Sequence, residues 1–265
     1  MNIYHHIDEF KPVKNAVVTI GTFDGVHLGH RKIIADLRQK AATIEGETVL
    51  LTFFPHPRMI LQPEDEHLKL INTINERAQL LEQAGIDHLI ITPFSRDFSN
   101  QLAEDYIREI LVKKIGAKML IIGYDHRFGK DRKGGLAELQ AAAPVYGFTT
   151  DEIPEQDINE VAVSSTRVRE ALLAANVELA NSFLGYPFFI TGTVIRGDQI
   201  GRQIGYPTAN LKVEEAYKLI PADGIFAVTV DISGQSYQGM AYIGHRPTIN
   251  GMTRNIEVNL SLIHI

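Results

Sequence analysis

The sequence predicts an α/β domain built on a parallel sheet, followed by a mostly antiparallel β domain. Three observations carry this. Through about Gly185, short β-branched runs alternate with longer helical patterns, the order that places helices on both faces of a parallel sheet. After Gly185, strand-like runs succeed one another with only Gly-, Asp- and Pro-bearing turns between them. The 265 residues suffice for two ordinary domains. The expected division is 1–185 and 186–265.

In the first part, AVVTIG (16–21) reads as a buried strand and HRKIIADLRQKAATI (30–44) as a helix. TVLLTFF (48–54) is a second strand, INERAQLLEQAG (74–85) a helical stretch and HLIITPF (88–94) a third strand. QLAEDYIREILVKKIG places Leu102, Tyr106, Ile110 and Lys113 at helical spacing, with Gly116 as the stop. KMLIIGY (118–124) is a fourth strand, LAELQAAAPVYG a helix and FTTDEI a fifth strand. SSTRVREALLAANVELANSFLG (164–185) reads as one helical bridge. Beyond it, FFITGTVIRG, GIFAVTVDI, YQGMAYIG and NIEVNL are strand-like. Parallel sheets bind ligands at the carboxyl ends of their strands, which is where chemistry is expected.

Composition narrows the function classes. A 45% hydrophobic and 22% charged chain is that of a globular protein. The net charge of −6 opposes a general nucleic-acid or membrane-surface binder. With no cysteine, thiolate catalysis, disulfides and zinc–cysteine sites are excluded. MNIYHHIDEF has neither the basic start nor the apolar stretch of a signal peptide. No run approaches the roughly 20 apolar residues that span a bilayer. A cytoplasmic protein with small-molecule partners, and neither nucleic acid nor membrane, is expected. The sequence does not speak to oligomeric state.

The first strand runs into GTFDGVHLGHRKII, with Gly21, Gly25 and Gly29 between a strand and a helix. Glycines there allow backbone to approach a phosphate, and the helix start offers free N–H groups to an anion. His27 and His30, as H-x-G-H, lie within reach of one ligand, where imidazoles stabilise charge developing in phosphoryl chemistry. The segment matches neither G-x-x-x-x-G-K-[ST] nor G-x-G-x-x-G. Asp24 reads as structural rather than as a metal ligand.

GTFDGVHLGH resembles the first signature of the bacterial bifunctional riboflavin kinase/FMN adenylyltransferase family, and three further segments are similar to that family's. FFPHPR (53–58) carries His56; GYDHRFG (123–129) carries Asp125, Arg127 and Phe128; VSSTRVR (163–169) carries Ser164, Ser165, Thr166 and Arg169. The resemblance implies a Rossmann-like nucleotidyltransferase domain that makes FAD and pyrophosphate from FMN and ATP. It assigns His27, His30 and Arg169 to catalysis, and Gly21, Phe23, Gly25, Gly29, Ser164, Ser165 and Thr166 to the nucleotide. It assigns His56, Asp125, Arg127 and Phe128 to the flavin. The residues also have plainer readings. A serine hydroxyl before a helix is an ordinary cap, GYDHRFG can serve as a polar turn, and a histidine between prolines is equally well a rigid loop residue.

TGTVIRGDQIGRQIGYPTANLKV (191–213) resembles the start of the riboflavin-kinase domain of the same family. That likeness implies Thr208 and Asn210 as magnesium and phosphate ligands, and Gly197, Gly201 and Gly205 as a phosphate-covering loop. Hydroxyl and amide oxygens are hard donors suited to Mg²⁺ arriving with ATP. Glu257 matches the family's general base on the riboflavin 5′-hydroxyl; an exposed strand glutamate is the competing reading. The resemblance stops near Leu260, ahead of further barrel strands and a closing helix. An incomplete antiparallel β-barrel with impaired kinase activity is therefore the expectation. A nucleotidyltransferase for another phosphate ester or CTP, and a non-catalytic flavin-binding protein, are the alternatives.

Overall fold

The computed structural model describes residues 1–65, 68–124, 126–153, 163–197, 207–245 and 254–260. The chain divides into two compact units, Met1–Ser165 with Phe183–Gly185, and Thr166–Ser182 with Tyr186–Ile265.

The first unit holds a parallel six-stranded sheet. Its elements are β1 (Asn2–Tyr4), β2 (Ala16–Ile20), α1 (Leu28–Thr43), β3 (Thr48–Phe53), α2 (Pro57–Leu61), α3 (Ile74–Gln83), β4 (His88–Thr92), α4 (Arg96–Ser99), α5 (Ala103–Asp105), β5 (Ala117–Gly123), α6 (Leu136–Tyr146) and β6 (Thr149–Ile153). The strand order is β1-β4-β3-β2-β5-β6, with every pairing parallel. β2, β3 and β4 are buried at every residue, which is why they read as unbroken apolar runs instead of alternating ones. Val18, Val49, Leu51, Leu120 and Ile122 form a core with Tyr106, Ile107, Ile110 and Leu111, while α1 packs on β2, β3 and β5. A Thr73–Glu76 capping box starts α3.

The structure departs from the sequence reading in three places. β1 pairs with β4 from Asn2↔His88 to Tyr4↔Ile90; its three residues are too few and too exposed to leave a pattern. The helix expected from Gln101 starts at Ala103 and continues as a wider π-type turn over Tyr106–Lys114. Ile115 N–H reaches Ile110 O, five residues back, at 3.0 Å. Leu102 is left 59% exposed, so the buried stripe is Tyr106, Ile107, Ile110 and Leu111. Finally, the bridge over 164–185 is two helices, α7 (Ser165–Leu173) and α8 (Val177–Leu184). Ala175 takes φ 57, and Asn176 Oδ1 accepts from Leu179 N–H at 3.1 Å. An asparagine cap therefore restarts the chain where apolar spacing alone saw continuity.

In the second unit, β7 (Thr193–Ile195), β8 (Ala209–Lys212), β9 (Gly224–Ile232), β10 (Gln235–His245) and β11 (Arg254–Leu260) form an antiparallel sheet in the order β7-β8-β11-β10-β9. β9 and β10 join through Ser233 and Gly234, at φ 50 and 82. A two-residue hairpin with both residues at positive φ matches the strands' twist. β8 lies inside the segment read as a glycine-rich connection; only its pairing with β7 and β11 makes it a strand. Among the described residues the sheet is open, with β7 and β9 at its edges.

Candidate active site

The loop leaving β2 is bent by backbone that most residues avoid: Phe23, Gly25 and Val26 have φ of 47, 88 and 35. At Gly25 a Cβ would stand 2.8 Å from Ile71 Cδ1. Gly25→Ala is expected to cost about 2 kcal/mol through left-handed strain and crowding, read as a lower urea midpoint with unchanged m-value. An unshifted midpoint would show that the loop relaxes freely.

The bend delivers His27 to the amino end of α1, where its Nδ1 accepts from His30 N–H at 3.4 Å. A ring nitrogen that accepts an N–H carries no proton, so neutral His27 holds its proton on Nε2. The His30 ring stacks on His27 at 3.7 Å and 18°, with Phe23 4.8 Å from His30. Burial, the neighbouring His27 and the Arg77 guanidinium, in that order, hold His30 well below the usual histidine range. Two stacked imidazoles at a helix start, one of them held neutral, make a hydrogen-bonding surface for anionic oxygens. Gly29 is buried in the first turn of α1.

Asp24 is buried and structural. Its carboxylate accepts from Ile71 N–H at 3.0 and 3.1 Å and from Asn72 N–H at 3.3 Å, and lies 3.9 Å from Arg77 Nη2. The Asp24 carbonyl accepts from Ser165 Oγ at 2.8 Å. One residue thus ties the loop after β2 to the start of α3 and to the serine-rich segment. Ser164 is exposed and Ser165 half-buried; Thr166 is exposed and Arg169 half-buried, both on α7 in the part of the chain grouped with the second unit. Arg77 and Thr52, whose Oγ1 lies 3.5 Å from Arg77 Nη1, were not singled out from sequence. The only signal for Arg77 was a charge on a helix whose exposure could not be judged.

The flavin-assigned residues divide. His56 is buried and caps α2, accepting from Arg58 N–H at 3.1 Å. Arg127 is exposed, and its Nη1 donates to the His126 carbonyl at 3.0 Å. Phe128 belongs to the core, bridged to Gly134 and 5.2 Å from the Tyr106 ring. Asp125 lies outside the described residues. Phe53, Phe94 and Phe98 at the ends of β3 and β4 lie 5.3 to 5.7 Å apart, ring to ring, and Phe98 reaches Tyr106 at 6.0 Å. Burial pushes the Tyr106 phenol up. This aromatic wall was missed because its members come from four separate segments.

In the second unit, Thr208 Oγ1 donates to Glu257 Oε2 at 3.1 Å, and Asn210 is the cross-strand partner of Glu257. Cross-strand partners share one face of a sheet. A Cβ on Gly197 would collide with the Asn210 amide; Gly201 and Gly205 lie outside the described residues. A cavity of about 390 Å³ is lined by Thr208, Ile225, Met240, Tyr242, Glu257 and Asn259. Its lining combines apolar side chains with a hydroxyl, a carboxylate and an amide.

A family model described as FAD synthetase matches residues 10–167, and one described as riboflavin kinase matches residues 184–263. The bifunctional riboflavin kinase/FMN adenylyltransferase of Haemophilus influenzae is 38% identical, over 94% of this chain and 80% of that protein. Those of Pseudomonas fluorescens and Escherichia coli K12 are 38% and 36% identical, over 93% and 94% of this chain and 78% and 79% of theirs. A crystal structure described as a macrolide-efflux protein from Streptococcus pneumoniae aligns with TM-score 0.84 and 31% identity, over 97% of this chain and 83% of that one. No helix among the described residues is long and apolar enough to cross a membrane. A loop bearing two stacked histidines on a parallel sheet, a Thr–Asn–Glu cluster on an antiparallel one, and relatives matching both halves lead to one conclusion: the chain belongs to the bifunctional riboflavin kinase/FMN adenylyltransferase family of FAD biosynthesis.

Proposed function

We propose that the first domain, 1–185, transfers AMP from ATP to FMN at the loop after β2, and that the second, 186–265, phosphorylates riboflavin at the Thr208–Asn210–Glu257 cluster. The observation that carries this reading is the stacked His27–His30 pair at the amino end of α1. In the first reaction an FMN phosphate oxygen attacks the α-phosphorus of ATP, the bond to the β-phosphate oxygen breaks, and pyrophosphate leaves. No covalent enzyme intermediate is needed. The task is to hold two anions in line and to stabilise charge on the oxygens that are changing partners. His27 and His30 donate from Nε2 to those oxygens. Gly21, Phe23, Gly25 and Gly29 shape the backbone cradle, and Ser164, Ser165, Thr166 and Arg169 take the pyrophosphate side. His56, Asp125, Arg127 and Phe128 serve the flavin, with the aromatic wall beneath its rings.

In the second reaction Glu257 takes the proton of the riboflavin 5′-hydroxyl as that oxygen attacks the γ-phosphorus of ATP, the bond to the β-phosphate oxygen breaks, and ADP leaves with FMN as the product. Gly197, Gly201 and Gly205 cover the phosphates. Thr208 and Asn210 hold Mg²⁺, which neutralises phosphate charge when bound. The donor types fit: Thr208 offers a hydroxyl hydrogen-bonded to the Glu257 carboxylate, and Asn210, the cross-strand partner of Glu257, an amide oxygen. ATP consumption makes the cytoplasm the proposed site of action.

The test is a chromatographic assay of the purified chain with MgATP, supplied separately with FMN and with riboflavin. FAD from FMN is the expected product, and the yield of FMN from riboflavin shows whether the kinase activity of the second domain is intact or impaired. No FAD from a folded protein that still binds FMN and ATP would leave the non-catalytic flavin-binding reading ahead.

A further inference from the structure

We infer that Asn259 is a positioning residue of the kinase site: its side-chain amide holds the Pro207 carbonyl and so keeps the Thr208 hydroxyl on Glu257. The inference rests on the reading of Thr208 and Glu257 as phosphorylation residues. Asn259 itself need touch neither substrate.

The register of β11 shows why a side chain is needed there. Val258 pairs with Ala209 and Glu257 with Asn210, so the register, continued outward, would set Leu260 opposite Pro207. β8 begins only at Ala209, and a proline has no N–H to give to a ladder. Asn259 Nδ2 instead donates to the Pro207 carbonyl at 2.8 Å. Residues two apart on a strand share a face, and Glu257 and Asn259 both line the cavity with Thr208. Two side chains of one strand thus hold one dipeptide. Asn259 takes its main chain, while Glu257 Oε2 accepts from Thr208 Oγ1 at 3.1 Å.

The backbone of Asn259 is itself supported from the far side. Met240 is its cross-strand partner on β10, and a Cβ on the adjacent Gly239 would collide with the Asn259 carbonyl oxygen. Glycine lets β10 lie close at this point. The consequence for chemistry lies in the Thr208 hydroxyl, which has one proton and two lone pairs. With the proton committed to Glu257, the lone pairs turn away from the carboxylate, as a hard cation on ATP phosphates requires. Without the Pro207 anchor that orientation is lost, and a misplacement of about 1 Å costs about 10²-fold in rate.

The experiment is a double-mutant cycle of Thr208→Ala and Asn259→Ala on riboflavin phosphorylation, alongside hydrogen–deuterium exchange of the segment 207–212. Asn259→Ala should lower kcat about 10- to 100-fold. In a Thr208→Ala background the same change should lower it less than about twofold, because its route of action is already gone. Asn259→His carries an N–H at Nδ1, the same number of bonds from Cα as asparagine Nδ2, and should recover most of kcat. Exchange in the segment should quicken in Asn259→Ala and slow again in Asn259→His. Equal losses in both backgrounds overturn the proposal, since Asn259 would then act on substrate or on the whole sheet. Unchanged exchange in Asn259→Ala overturns it too, whatever the rate. Should the alanine variant not fold, Asn259→Leu, branched alike but without a donor, takes its place in both measurements. A wild-type chain that makes no FMN from riboflavin counts against the kinase reading alone. Exchange, which needs no turnover, then decides the role of Asn259 by the same two outcomes.

Discussion

His30→Ala is expected to lower kcat for FAD formation by about 10²–10³-fold, the usual loss when a preorganised donor to a developing oxyanion is removed. The ring is half-buried, stacked on His27 at 3.7 Å and held neutral, so its donor is in place before substrate arrives. His27→Ala should show a comparable loss together with about 1 kcal/mol of lost stability, because its Nδ1 also caps α1. His27→Asn separates the two effects. An asparagine oxygen can accept the His30 N–H and restore the cap, yet it does not return an N–H at the position of Nε2. Stability should recover in His27→Asn while FAD formation stays low. Recovery of both would make His27 a helix cap and nothing more.

Glu257→Gln is expected to reduce riboflavin phosphorylation by about 10²–10⁴-fold, the range supplied by a positioned general base. Glutamine keeps the shape and can still accept from Thr208 Oγ1, now 3.1 Å from Glu257 Oε2, so the sheet should be undisturbed. It loses the ability to take a proton. Thr208→Ala removes the hydroxyl partner and one oxygen of the cluster; its loss should appear as a steeper dependence on Mg²⁺ concentration, which Glu257→Gln should lack. FAD formation from supplied FMN should be unchanged in both variants. Kinase activity that survives Glu257→Gln would remove the base from Glu257 and return it to the reading of an exposed strand carboxylate.

The sequence by itself determined most of the architecture, because the strongest signals are local. Continuous apolar runs such as AVVTI and TVLLTF can bury both faces only inside a helix-covered parallel sheet. GTFDGVHLGH places two histidines and three glycines at one strand-to-helix turn, a pattern legible in the sequence, while the chemistry it serves follows from the family resemblance. The neutral state of His30 was not legible, since burial and a charge 47 residues away in sequence, on α3, set it. Nor was the anchoring by Asp24, whose partners Ile71, Asn72 and Arg77 come from another βα connection. The aromatic wall of Phe53, Phe94, Phe98, Tyr106 and Phe128 likewise gathers side chains from separate segments. β8 became a strand only by pairing with β7 and β11. Residue type and spacing fix which groups are available and on which element they ride. Burial, charge proximity and long-range pairing are properties of the folded chain, and they decide which of those groups meet and in what protonation state.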